Sequence, residues 1–260
     1  MKRTISIILT VLLICLAVAS FVVFEAFQVE ILPDTDADFL LRTFISRFVV
    51  SIAIIWVLFI TGYGQMLLFN KKFFKNVIWA LPCFLVAVVN FPFFTLKNGQ
   101  AIINRMDLIW LYTAYIIAIA LLEELVFRGI LLLTLKDYLK ENKYGYLWTV
   151  LLSGLAFGLF HLTNLAYGAD LGSTLLQCVY TFLIGCMLAI TMLKLNNVWV
   201  CFIIHAVFDF GGLLVLTLGW GESWDVFFWV STVVMGVLCA GHVIYTLFKL
   251  EKNKSDVSGD

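Results

Sequence analysis

Charge is scarce in this chain, and so is most of what builds a soluble surface. Asp, Glu, Lys and Arg supply 13% of the 260 residues, about half the share of an ordinary globular domain. Only three prolines occur, and there is no low-complexity tract or long polar segment to act as a linker. The chain therefore reads as one membrane domain over residues 1–248, followed by a short polar tail at 249–260. The net charge is zero, which argues against a nucleic-acid partner. Cys15, Cys83, Cys178, Cys186, Cys201 and Cys239 stand singly in apolar runs, without a CxxC or disulfide-like spacing, and read as small apolar filler. No HExxH is present, so a soluble-type zinc protease is unsupported. The absence of GxSxG, and of any serine with an evident histidine base, removes the support for a serine mechanism.

What is present is apolar sequence: 63% of residues are hydrophobic and the mean hydropathy is +1.03. A membrane-crossing helix needs about 20 apolar residues, because backbone polar groups find no water in hydrocarbon. Eight stretches meet that length: Ile5–Phe24, Phe48–Phe69, Val77–Leu96, Leu108–Leu133, Leu147–Leu165, Thr174–Leu193, Val198–Leu218 and Val226–Phe248. The expected fold is all-α, a polytopic integral membrane protein of about eight helices. The opening Lys2-Arg3, apolar run and Ala17-Val18-Ala19 resemble a signal peptide, but the run continues to Phe24, which favours an uncleaved first helix.

Cytoplasmic loops hold the excess of Lys and Arg. With the amino terminus inside, the inner segments carry 12 such residues, among them Lys71, Lys72, Lys136, Lys143, Lys194 and Lys252, and the outer loops carry 3, Arg42, Lys97 and Arg105. Both termini are thus expected in the cytoplasm of an integral cell membrane, and the Lys-rich inner loops suggest a bacterial plasma membrane. Trp220 and Trp224 read as interfacial anchors, Glu25 as an acid at the outer end of the first helix that reaches water, and His242 as a packing residue.

An ionisable group at membrane depth costs several kcal/mol unless it is paired or hydrated, so each one is a candidate for function. Three groups stand out: Glu123-Glu124-Leu-Val-Phe-Arg128, Phe157-Gly-Leu-Phe-His161 and His205-Ala-Val-Phe-Asp209. Glu124 and Arg128, four apart, would share a helix face and pair, leaving Glu123 about 100° away to face a cavity. His205 and Asp209 share a face as well, which suits an acid that orients an imidazole or a pair that binds one ligand. Gly154 and Gly158 form a GxxxG step on the helix of His161, which permits close approach of a neighbour. Two imidazoles and a carboxylate from three helices suit activation of water, by Glu123 as general base or by metal coordination.

Glu-Glu-x-x-x-Arg, Phe-x-x-x-His and His-x-x-x-Asn/Asp on successive helices resemble the CAAX protease and bacteriocin-processing family, also called the Abi family of intramembrane proteases. The resemblance covers about residues 108–212. It implies an eight-helix endopeptidase with a cavity open to the cytoplasm, acting on a membrane-associated, hydrophobic or lipidated peptide or protein. Within it, Glu123 would activate water, His161 would help hold it, and His205 with Asp209 would stabilise the oxyanion or complete a metal site. Glu124, Arg128 and Phe157 would support them. Zinc and a metal-free glutamate mechanism both stay open. Position 209 departs from the common Asn, and an ionised Asp cannot donate to an oxyanion. A peptide pheromone, bacteriocin or lipopeptide precursor is the expected substrate class rather than a prenylated protein. The rival readings are a non-catalytic scaffold or immunity protein of the same fold and a proton-coupled transporter, although no internal repeat of the transporter kind is evident.

Overall fold

The computed structural model describes residues 12, 15–69 and 71–258. The start of the first expected span at Ile5, and Lys2 and Arg3, lie outside the described residues. The longer helices are α1 (Cys15–Ala26), α2 (Thr35–Ile60), α3 (Val77–Val89), α4 (Ile109–Glu124), α5 (Leu132–Tyr138), α6 (Gly145–Phe160), α7 (Leu171–Leu195), α8 (Val198–Leu218) and α9 (Val226–Ser258). Two short strands, β1 (Ala101–Ile103) and β2 (Gly219–Gly221), pair antiparallel with Ile102 opposite Trp220. The protein is an all-α polytopic membrane protein. Among the described residues five helices are long and apolar enough to cross a membrane: α2, α6 with its continuation to Tyr167, α7, α8 and α9. The expected count of eight is therefore not reached by these helices alone.

Helix boundaries differ from the hydropathy reading where charge interrupts it. Helix α2 begins at Thr35 rather than Phe48, because the Asp34 carboxylate caps it, accepting from the Asp36 and Ala37 N–H groups at 3.1 and 3.0 Å. Its early charges are paired within the fold: Arg42 Nε lies 2.7 Å from Asp38 Oδ2. Arg47 is consequently mid-helix, with its Nε 3.6 Å from Glu25 Oε1, and Glu25 also accepts from Ser46 Oγ at 2.7 Å. Glu25 is thus engaged by α2 rather than left to water. The stretch from Val77 to Leu96 is broken at Asn90-Phe91-Pro92, where proline cannot continue the ladder. Helix α9 runs ten residues beyond Phe248, through most of the polar tail.

The chain forms two compact units. The first comprises residues up to Gln65, Phe84–Leu125 and Phe202–Met235. In it α2 packs on α4, and Leu40, Tyr112, Ile116, Leu214 and Leu218 form the core between these helices and α8. Arg105 ties its polar edge, reaching Asp34 at 2.7 Å, Asp36 at 2.6 Å and Asp107 at 3.3 Å.

The second unit comprises Met66–Cys83, Val126–Cys201 and Gly236–Asp260. Its centre is the crossing of α6 and α7 at glycines. A Cβ added at Gly158 would stand 2.7 Å from the Cys178 carbonyl oxygen, and one at Gly185 would stand 3.0 Å from Gly154 Cα. Only hydrogen fits between these backbones, so the GxxxG step is used for close packing. The end of α9 returns to α6: Glu251 Oε1 accepts from the Leu147 N–H at 2.7 Å, a carboxylate at the positive end of a helix. His242 packs on Trp79, ring centroids 4.6 Å apart, and its Nε2 lies 3.0 Å from the Trp79 carbonyl oxygen.

Candidate active site

In the first unit α4 and α8 bring four of the singled-out residues together. Glu123 and Glu124 end α4, and His205 and Asp209 lie one turn apart on α8. His205 Nδ1 is 2.8 Å from Glu124 Oε1. Its Nε2 faces two more carboxylates, with Asp209 Oδ2 at 3.3 Å and Glu123 Oε2 at 3.8 Å. Glu124 is fully buried, Glu123 and His205 are 7% and 4% exposed, and the Asp209 side chain is 19% exposed. The imidazole is thus held at one nitrogen by an enclosed acid and aims the other at two acids nearer the outside. This is the arrangement that fixes a ring's orientation and leaves one nitrogen to the chemistry.

Glu124 has a role that spacing did not suggest. One of its oxygens lies against His205, 81 residues away in sequence, a partner that no local spacing indicates. Directly after Glu124 the helix changes type, with Leu125–Leu131 π-helical.

In the second unit Arg128, Phe157 and His161 form a stack. The Arg128 guanidinium carbon sits 4.4 Å from the Phe157 ring centroid, and the His161 ring meets Phe157 edge-on at 5.1 Å. Phe127 packs edge-on to Phe157 at 5.0 Å. Phe157 thereby holds a cation on its face and an imidazole at its edge, which accounts for an aromatic four residues before the histidine. His161 lies where α6 passes into a 3-10 turn, His161–Tyr167, and its Nδ1 is 2.9 Å from the Phe157 carbonyl oxygen. A carbonyl can only accept, so Nδ1 carries the hydrogen and the Nε2 lone pair of the neutral ring remains for a ligand.

Among the described residues no group of three or more His, Cys, Asp and Glu side chains is arranged to hold a metal ion. The donor set of the first unit is one imidazole nitrogen and two carboxylates that already face it.

The model of the Type II CAAX prenyl endopeptidase Rce1-like family matches residues 105–211, less than half of the chain but all three motifs. The resemblance read from the motifs is shown over that stretch, and the family is one of membrane proteases. Comparison with curated proteins and with solved structures gives no match.

Proposed function

We propose that this protein is an intramembrane endopeptidase that hydrolyses a peptide bond in a membrane-associated or lipidated peptide, with Glu123 as the base that activates water. The observation that carries the reading is His205, held at Nδ1 by buried Glu124 and presenting Nε2 beside Glu123 and Asp209, all within the matched stretch. Glu123 takes a proton from water, and the water oxygen bonds to the carbonyl carbon of the scissile peptide. The carbonyl electrons move to oxygen, where His205 Nε2–H donates to the oxyanion. Collapse of the tetrahedral centre breaks the C–N bond, and the amine leaves with the proton carried by Glu123. Asp209 orients Nε2. The motif assigns His161 to the attacking water, and its free Nε2 lone pair is chemically suited to that task. Arg128 and Phe157 support His161.

Peptide pheromone, bacteriocin or lipopeptide precursors are the proposed substrates, membrane lipids the surrounding partners, and a bacterial plasma membrane with both termini cytoplasmic the proposed setting. The test is cleavage of a panel of lipidated and unlipidated peptides by the purified protein in detergent, comparing wild type with Glu123→Ala, His161→Ala and His205→Ala, with and without a chelator. Cleavage that Glu123→Ala and His205→Ala abolish supports the reading. Cleavage unchanged by Glu123→Ala sinks it and favours a scaffold with a contaminating protease. Loss of activity with chelator would assign a metal to the reaction.

A further inference from the structure

Helix α8 carries His205 and Asp209, and two buried side chains from elsewhere in the first unit hold its backbone around Asp209. Asn90, in the turn that breaks the chain before Pro92, donates its Nδ2–H to the Phe208 carbonyl oxygen at 2.7 Å. Tyr112, three turns before Glu123 on α4, donates its hydroxyl to the Phe210 carbonyl oxygen at 2.7 Å. The same hydroxyl stands 3.4 Å from the carbonyl oxygen of Asp209. Tyr112 is fully buried and Asn90 is 9% exposed.

Carbonyl groups inside a helix already accept from the N–H four residues on, so a second donor at both residues flanking one acid is an addition to the helix's own ladder. The glycines that follow make it possible. A Cβ on Gly211 would lie 2.8 Å from Phe91 Cα, and one on Gly212 would lie 2.6 Å from Asn90 Nδ2. Without Gly211 and Gly212 the Asn90 turn would stand off from α8, and its amide would not reach Phe208.

We infer that Asn90 and Tyr112 are positioning residues for the reaction: they fix α8 at Asp209, and so set Asp209 and the His205 Nε2 against Glu123. The inference rests on the proposed protease reading for its consequence in catalysis, although the placement of His205 and Asp209 can be measured without any substrate. Tyr112 shares α4 with Glu123 and Glu124, so its bond to Phe210 references the imidazole helix directly to the helix that supplies both glutamates. A displacement near 1 Å of a reacting group is enough to lower a rate by on the order of a hundredfold.

The chain has three histidines, so a spectrum of protein labelled with 15N at the imidazole rings has few signals, and His161→Asn, His205→Asn and His242→Asn assign them. Asp209→Asn gives the shift that loss of the Asp209 charge produces at His205 Nε2. Tyr112→Phe, which removes one oxygen and keeps the packed ring, and Asn90→Ala should each move the His205 Nε2 signal in that same direction and leave His242 in place. They should lower kcat about tenfold to a hundredfold with KM within about twofold of wild type. A merely structural role would lower the melting temperature while the His205 signal in the folded protein stays where it was. If Asp209→Asn moves that signal and neither Tyr112→Phe nor Asn90→Ala does, the positioning inference is wrong. Should both variants move it while Glu123→Ala leaves cleavage unchanged, the positioning stands and the protease reading falls.

Discussion

Replacing Gly158 by alanine tests the α6–α7 crossing with a single methyl group. The new Cβ would sit 2.7 Å from the Cys178 carbonyl oxygen and 3.1 Å from Phe182 Cβ, against 3.4 Å for an ordinary contact. The helices must therefore separate by about 0.7 Å, because the carbonyl is backbone and cannot rotate away. Gly154 and Gly185 hold the same crossing one turn along, with a Cβ-to-Cα clearance of 3.0 Å, so the strain spreads along the interface instead of being relieved at one side chain. Overpacking of this kind costs ~1–3 kcal/mol, and the intrinsic gain of alanine over glycine in a helix, ~1 kcal/mol, offsets only part of it. Unfolding of the purified protein in mixed micelles, followed by far-UV circular dichroism as sodium dodecyl sulfate is raised, should show the midpoint fall. The same substitution at Gly236 meets nothing within 4 Å. A midpoint for Gly158→Ala at or above that of wild type would refute the reading that α6 and α7 pack backbone to backbone.

Gly236→Ala, on α9, should raise the same midpoint by ~0.5–1 kcal/mol, since only helix propensity changes; a fall would mean that another surface occupies that face. Glu124→Ala should lower kcat on the order of tenfold to a hundredfold and stability by ~3–5 kcal/mol, because it leaves His205 Nδ1 buried without the oxygen now 2.8 Å away, and Glu124→Gln should recover part of the stability. Equal activity in all three proteins would remove Glu124 from the site. The Asp34 carboxyl is held below its usual pKa, first by the Ala37 N–H and then by Arg105. A lowered folded pKa gives stability that is present above the unfolded value of 3.8 and is lost as pH falls through the folded one. Lowering the pH from 6 to 3 should therefore reduce thermal stability more in wild type than in Asp34→Asn, and parallel curves would show that the cap carries no charge-dependent part.

What sequence pattern could read is what one segment determines by itself. Val198–Leu218 is a helix at the residues where hydropathy put it, since nothing charged interrupts it until His205, and α7 exceeds its expected range only by a few residues at each end. Hydropathy failed where polar groups are satisfied by tertiary partners. Arg42 looks like a loop residue until it is seen donating to the Phe24 carbonyl oxygen as well as pairing with Asp38, and the ribbon of β1 with β2 joins segments more than a hundred residues apart through Gly219 and Gly221. At the site, the residue types were legible from their presence at membrane depth. These partners were not, because Glu124 with His205, Asn90 with Phe208 and Tyr112 with Phe210 are contacts between segments far apart in sequence.

Position 209 shows how a departure in residue type becomes a question of direction. Its Oδ2 lies 3.3 Å from His205 Nε2, and a carboxylate there accepts, steadying a nitrogen that carries hydrogen. An asparagine at the same place offers a carbonyl oxygen that still accepts and an amide that donates, with no charge. Asp209→Asn keeps the volume and the acceptor, so no cavity or overpacking enters the comparison. Bonds to an ionised partner are roughly twice as strong as neutral ones, a difference of ~1 kcal/mol, which corresponds to about a fivefold fall in kcat if Asp209 acts through His205. Asp209→Ala, which removes the acceptor altogether, should lose more. A faster enzyme in Asp209→Asn would mean that the side chain meets the oxyanion itself, where a donor serves and a carboxylate repels, and it would move the orienting role of this site wholly onto Glu124.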